Sequence, residues 1–279
     1  MGLAFAQAYP EAAEILSWSS ELLGENLHRL LGRGGSWLNN TALVQPVMVA
    51  VGLIASRVLQ SHGISPTLCA GHSVGELAAW SATGAVPANQ AISLAYQRGR
   101  AMGEIARVQP GGLLALNTSP SDTEKHLEGT VVLAAANGPK QVVVSGALSD
   151  LTALQQRIGG RFVQQIGAWH NPIMASAVPG FQHAATAIEA QAPESIFVSN
   201  RDGSTCPDGE NIPRLLADQL THPVRWDKVT QTLLEQGVTR VVCLGVSRVM
   251  QSLLRSTLPA SVTVVPFTEP KHLEAFEIA

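Results

Sequence analysis

Thr67-Leu68-Cys69-Ala70-Gly71-His72-Ser73-Val74-Gly75-Glu76-Leu77-Ala78-Ala79-Trp80 sets a short apolar run before a Gly-x-Ser-x-Gly pentapeptide and a helix-forming run after it. Strand, tight turn and helix in that order are the layout of a nucleophile elbow, whose turn lifts a serine above the end of a parallel sheet. Gly71 and Gly75 permit close packing of the backbone, and the amide of Val74 points from the helix N-terminus to where negative charge develops during acyl transfer. The pentapeptide alone recurs in ordinary loops, so the flanking elements give it its weight. The stretch predicts an α/β fold with Ser73 as nucleophile and Val74 as oxyanion donor.

Composition narrows the setting. The 279 residues, 46% of them hydrophobic, are enough for one large α/β domain or a domain with an inserted lobe. A formal net charge of -3 with only 14% charged residues offers no basic stripe, so a nucleic-acid partner is not expected. Cys69, Cys206 and Cys243 are odd in number and far apart, which suggests buried reduced thiols and neither a disulfide framework nor a metal site. Met1 to Phe5 lacks a basic, cleavable leader pattern, and no run approaches eighteen apolar residues; the expectation is a cytoplasmic protein that spans no membrane.

Along the chain, helical spacing covers Ala12 to Leu23, Val44 to Leu59 and Ala88 to Met102, so the chain opens on a helix and not on the strand usual for a parallel sheet. From Gly112 to Ile166 the pattern changes. Leu113 to Leu116 reads as a strand, Pro120 to Leu127 as a helix, Val131 to Ala135 and Gln141 to Ser145 as strands about the turn Asn137-Gly138-Pro139, Leu148 to Ile158 as a helix and Phe162 to Ile166 as a strand. That β-α-β-β-α-β order predicts a ferredoxin-like subdomain over 111–166, inserted into a core made of 1–110 and 167–279. The core then resumes with a helix from Pro172 to Ala190, strands at Ile196 to Ser199, Arg240 to Leu244 and Val262 to Val265, and helices at Ile212 to Leu220, Trp226 to Glu235 and Arg248 to Leu254.

A serine nucleophile needs a base within hydrogen-bond reach, and His170 lies in a loop between a strand and a helix begun by Pro172. His72 adjoins Ser73, but its side chain leaves the turn elsewhere. No acid stands between serine and histidine in α/β-hydrolase order, so a Ser–His dyad oriented by a backbone carbonyl is the simpler reading. Arg98 and Arg100, two apart on one helix, cannot share a face. One is solvated; an inward one would receive a carboxylate or phosphate, although position alone favours surface charges for both. Position alone likewise makes Gln45 a solvated first-turn residue.

Several ordered motifs carry a resemblance. Leu38-Asn39-Asn40-Thr41 with Gln45-Pro46, Gly71 to Glu76, Gln97-Arg98-Gly99-Arg100-Ala101-Met102, Asn137 with Gln141 to Gly146, Gly167-Ala168-Trp169-His170 to Met174, and His222-Pro223-Val224-Arg225-Trp226 together resemble the malonyl-CoA:acyl-carrier-protein transacylases of fatty-acid and polyketide synthesis over nearly the whole chain. The resemblance implies an α/β-hydrolase-like core with a ferredoxin-like insertion. It implies that Ser73 takes a malonyl group from malonyl-CoA as an ester, that His170 shuttles the proton, and that Arg98 clamps the malonyl carboxylate. Gln45 would brace the active-site loop, Asn137 and Trp169 would belong to the substrate site, and a main-chain carbonyl from the segment His222 to Trp226, that of Arg225 first among them, would orient His170. The phosphopantetheine thiol of an acyl carrier protein would then accept the group, with coenzyme A thioester as substrate and no cofactor or metal.

There are departures. The family's opening strand and its Gly-Gln-Gly-x-Gln turn, which supplies a second oxyanion amide, have no counterpart, so the strand before Ser73 is expected to show an open edge. Leu244-Gly245-Val246-Ser247-Arg248 stands where a Gly-Pro-Gly turn is usual, and Trp169 replaces Phe or Ser and would narrow the acyl pocket. Three alternatives follow: the transferase subunit of malonate decarboxylase, a catalytically impaired or partner-completed homologue, and a serine thioesterase, which Arg98 argues against.

Overall fold

An elbow needs a strand that ends where a helix begins, and the computed structural model, which describes residues 2–277 apart from 34, 165, 207, 210, 246 and 247, supplies both. Val246 and Ser247 of the departing turn thus lie outside the described residues. Strand β1 (Leu68–Ala70) pairs in parallel with β6 (Ile196–Val198), in the register Cys69↔Phe197, and β6 is flanked antiparallel by β7 (Thr205–Cys206). β9 (Arg240–Leu244) and β10 (Thr263–Phe267) form a second parallel pair.

The helices bury this framework. α4 (Thr41–Ser61) starts at Asn40, whose side chain accepts the Ala42 amide at 3.1 Å. By length and composition alone α4 would also cross a membrane, with a mean hydropathy of 1.9, but 67% of that window is buried in the protein. It packs against α2 (Pro10–Leu23), α5 (Gly75–Ala82) and α6 (Ala88–Val108). Trp80 of α5 stacks on Phe197 of β6 at 3.5 Å between ring centroids, which seats the elbow helix on the sheet. Each such buried large side chain contributes about 1.5–3 kcal/mol.

Residues 111–164 build another layer. β2 (Gly111–Leu116), α7 (Pro120–Glu124), β3 (Val132–Gly138), β4 (Gln141–Ala147), α8 (Leu148–Ile158) and β5 (Arg161–Gln164) follow the expected order. Their strands lie β5-β2-β4-β3, all antiparallel, which is the ferredoxin-like arrangement, and Leu151 and Leu154 of α8 pack on Leu114, Val142 and Val144. A fifth strand, β8 (Val224–Arg225), joins in parallel beside β3 from the far side of the sequence, so the small sheet borrows its edge from the core.

Some details differ from the sequence reading. Asn137 and Gly138 finish β3, and Pro139 and Lys140 alone form the turn, because Gly138 still pairs with Gln141. The helix expected from Pro172 to Ala190 is a 3-10 turn over Pro172–Ala177 followed by α9 (Val178–Thr186); Pro179, which lacks an amide proton, falls in the first turn of α9, where none is needed. The remaining helices are α1 (Leu3–Ala8), α3 (Leu27–Arg33), α10 (Ile212–Asp218), α11 (Trp226–Glu235), α12 (Arg248–Thr257) and α13 (Glu274–Glu277).

Among the described residues β1 has no strand partner but β6, and β9 none but β10. Between them lies an apolar cleft of about 480 Å³, lined by Leu68, Cys69 and Ala70 on one side and by Val241, Val242 and Cys243 on the other. All three cysteines are free thiols, and burial raises each to about 11.

Candidate active site

Only two non-glycine residues among those described have positive φ, Ser73 at 52° and His170 at 57°. Such backbone is strained for any side chain with a Cβ and persists where the surroundings impose it. At Ser73 the imposing element is the elbow. A Cβ on Gly71 would lie 2.1 Å from the backbone of Gly75, so only glycine lets the chain turn this tightly into α5. Glu76 and Leu77 then donate back to the carbonyls of Ser73 and Val74, while the Val74 amide keeps no partner among the described residues.

The two strained residues meet. Ser73 Oγ is 2.7 Å from His170 Nε2. His170 is held by its neighbour, because Asn171 donates to the carbonyls of Thr130 and Ser145 at 3.0 Å and accepts the Ile173 amide at 2.9 Å, anchoring the loop to the small sheet. The other ring nitrogen, Nδ1, lies 2.8 Å from the carbonyl of Gln219 and 3.1 Å from that of His222. Carbonyls only accept, so Nδ1 carries the proton and Nε2 presents its lone pair to the serine hydroxyl. Burial, reinforced by the charge of Arg98, lowers the imidazole to about 3, which keeps it neutral, with its Nε2 lone pair free, at physiological pH.

The segment His222 to Trp226 thus lends an orienting carbonyl, but it is that of His222 and not of Arg225, and the nearer one comes from Gln219. Gln219 caps α10, and the last carbonyls of a helix lack intrahelical partners and are free to accept from outside. Arg225 instead enters β8, gives its amide to the carbonyl of Asn200 and forks its guanidinium onto Asp227 at 2.9 and 2.8 Å.

Arg98 is the inward member of its pair. It is 2% exposed, whereas Arg100 is solvated beside Glu104. Close approach of α6 to α4 puts it there: a Cβ on Gly99 would sit 2.3 Å from the Thr41 carbonyl. One terminal nitrogen donates to Gln45 Oε1 at 2.6 Å; the other donates to Gln219 Oε1 at 2.6 Å and reaches Ser73 Oγ at 3.4 Å. Its Nε has no partner among the described residues. Burial lowers the guanidinium to about 10, against the pull of Glu76, so it remains charged at neutral pH.

Gln45 is therefore buried, not solvated as position alone suggested, and it holds Arg98 rather than the Ser73 loop. Its amide donates to Thr41 at 2.7 Å and to the sulfur of Met102, which fixes which end faces the arginine. Asn137 gives its oxygen to His72 Nε2 at 2.9 Å and so buttresses the turn beside the nucleophile. Trp169 folds its ring back over Gly167, where an added Cβ would meet it at 2.4 Å.

Sequence reasoning gave no role to Glu76, Asn200 or the side chain of Gln219. Glu76 is 2% exposed and accepts from the Asn200 amide at 2.7 Å and from Gln219 Nε2 at 2.5 Å; burial raises it to about 7. Asn200 also donates to the Gly71 carbonyl at 2.9 Å. Glu76 was visible inside the elbow motif; Gln219 and Asn200 carried no spacing signal. Among the described residues no group of His, Cys, Asp and Glu is arranged to hold a metal ion.

A strained serine, a neutral histidine bonded to it and a buried arginine beside both suit a protein that handles an acyl group carrying an anionic end. The chain belongs to the acyl transferase domain family, which it matches over residues 3–277. It is 34% identical over 233 residues to the malonyl CoA-acyl carrier protein transacylase of Mycolicibacterium smegmatis, covering 80% of each chain. The crystal structure of the transacylase of Mycobacterium tuberculosis superposes with a TM-score of 0.90 at 31% identity, over 98% of this chain and 94% of that one. The acyltransferase domain from the second module of the salinomycin polyketide synthase gives 0.89 at 27% identity, over 100% of this chain and 68% of that one.

Proposed function

We propose that this protein transfers a malonyl group from coenzyme A to the phosphopantetheine thiol of an acyl carrier protein through an ester on Ser73. The observation that carries the reading is the buried guanidinium of Arg98 at 3.4 Å from Ser73 Oγ. A receptor that close to the nucleophile suits a carboxylate one carbon away from the thioester carbonyl, which is the geometry of malonyl and not of longer diacids. A neutral acyl group would leave that charge without a partner.

The steps follow from the groups present. Ser73 Oγ attacks the thioester carbonyl while His170 Nε2 takes its proton, and the carbonyls of Gln219 and His222 stabilise the imidazolium through Nδ1–H. The carbonyl π electrons move onto oxygen, which the Val74 amide receives at the α5 N-terminus. Collapse breaks the carbon–sulfur bond, and the leaving thiolate takes the proton from His170. The carrier thiol then gives its proton to the same nitrogen, attacks the ester, and collapse returns the proton to Ser73. Gln45 and Gln219 hold Arg98 on the malonyl carboxylate throughout, and Asn137 and Trp169 shape the surroundings through His72 and the His170 loop.

We further read residues 111–166 as a small lobe that carries one wall of the site through Asn137 and the anchor of Asn171. No cofactor is required beyond the coenzyme A thioester substrate. Three free thiols fit a reducing, cytoplasmic setting. The test is radiolabelled malonyl-CoA with a purified holo-carrier protein: label moves to the carrier with wild type and not with Ser73→Ala. Transfer at the wild-type rate by Ser73→Ala would end the proposal.

A further inference from the structure

The transfer steps use Ser73, His170 and Arg98 and leave Glu76 without a task, although it is a buried acid at the centre of the site. No cation lies within ion-pairing distance of it among the described residues; its partners are the Asn200 amide and the side-chain amide of Gln219. Gln219 touches every working group. Its Oε1 accepts from Arg98 at 2.6 Å, its Nε2 also donates to the Ser73 carbonyl at 3.1 Å, and its main-chain carbonyl takes the His170 Nδ1 proton at 2.8 Å.

A glutamine amide has one donating and one accepting end, and its neighbours decide which way it faces. An ionised carboxylate, which Glu76 is once pH rises past about 7, can only accept, and a guanidinium can only donate. With Glu76 on one side and Arg98 on the other, a single orientation satisfies both; the flipped amide would set NH2 against guanidinium and oxygen against carboxylate. An amide in place of Glu76 keeps its oxygen on the Asn200 N–H, which can only donate, and so turns an NH2 toward the Gln219 Nε2 that the carboxylate accepts from.

We propose that Glu76 is a positioning residue that locks the Gln219 amide in the one orientation that steadies Arg98 for the acyl carboxylate. This rests on the reading of Arg98 as carboxylate receptor. Glu76 touches no reacting atom; beside the pull of its charge on Arg98, its effect passes through Gln219.

The consequence is selective. Loss of the lock should blunt recognition of the carboxylate and spare acyl groups that have none. Glu76→Gln, Gln219→Met, the double variant and Arg98→Ala are compared with wild type by steady-state acyl transfer from malonyl-CoA and from acetyl-CoA at about pH 8, where Glu76 is ionised. Glu76→Gln should raise KM for malonyl-CoA about tenfold, the loss expected for one misaligned charge-assisted bond, with KM for acetyl-CoA unchanged. Gln219→Met, which also loses the bonds to Arg98 and to the Ser73 carbonyl, should lower transfer of both acyl groups and of malonyl the more, and adding Glu76→Gln to it should shift the malonyl-to-acetyl ratio no further, because the lock is already gone. Equal losses with both substrates, or additive effects in the double variant, would make Glu76 merely structural and overturn the proposal. If Glu76→Gln does not fold, Gln219→Met decides alone: a wild-type malonyl-to-acetyl ratio refutes the lock. Arg98→Ala separates the two layers, since an unchanged ratio there refutes the receptor itself, whereas a changed ratio with an unaffected Glu76→Gln refutes only the lock.

Discussion

Replacing Arg98 with methionine keeps an apolar stem that reaches about as far as Nε but removes every donor. In the protein as it stands, that guanidinium is wholly buried and feeds two glutamine oxygens at 2.6 Å each. A malonyl carboxylate that docks there gains at least one charge-assisted bond, and two if it forks across Nε and a terminal nitrogen. At about 1.5–3 kcal/mol per bond, loss of the fork removes about 3–6 kcal/mol from the transition state, or roughly two to four powers of ten in kcat/KM for malonyl-CoA. Acetyl-CoA has no carboxylate and loses nothing from this source. Competition between the two thioesters for acylation of Ser73, read by intact-protein mass spectrometry, gives the ratio directly. A malonyl preference that survives in Arg98→Met would refute the argument from proximity to Ser73.

Other consequences are as definite. Because His170 is lowered to about 3 by burial and by Arg98, malonylation of Ser73 in the free enzyme should lose no rate to imidazole protonation between pH 8 and pH 5; an acid limb near 6.5 that vanishes with His170 replaced would contradict its burial. Glu76 is raised from 4.5 to about 7, so its share of stability is full below pH 4.5 and is lost as pH rises toward 7, by about 3 kcal/mol; denaturant titrations of wild type and Glu76→Gln should diverge over that window and run parallel above it. Gly99→Ala drives a methyl group into the Thr41 carbonyl, a backbone atom, and should cost about 1–3 kcal/mol in stability together with Arg98-dependent selectivity, read by thermal melts and the same competition assay. The apolar cleft between β1 and β9 should enhance the fluorescence of an environment-sensitive apolar dye, and Ala78→Trp, which fills it from α5, should abolish that signal.

How much could be read beforehand divides along physical lines. The elbow was legible because one short motif contains its own strand, turn and helix, and the ferredoxin-like layer because its apolar periods change between 2 and 3.6 within a few residues. The short strands were not. β7 and β8 are two residues each, too brief for any period, and β8 exists because β3 offers it an edge. Within the site, residues in named motifs were found and so was the pairing of Ser73 with His170, but most of the other contacts were not. Gln45 looked solvated because helix position says nothing of α6, which brings Arg98 to it only where Gly99 lets two backbones touch. The orienting role fell to the motif His222 to Trp226, and His222 does lend a carbonyl at 3.1 Å, but the nearer one, at 2.8 Å, belongs to Gln219 and is free because of where α10 stops.

The central claim is that Ser73 carries the malonyl group. Brief incubation with malonyl-CoA, rapid acid quench, proteolysis and peptide mass spectrometry measure it in one step. The account predicts one malonyl adduct per chain, on the peptide holding Ser73, absent from Ser73→Ala and strongly reduced when His170 is replaced. An adduct on any other residue, or one that persists undiminished in Ser73→Ala, would contradict it.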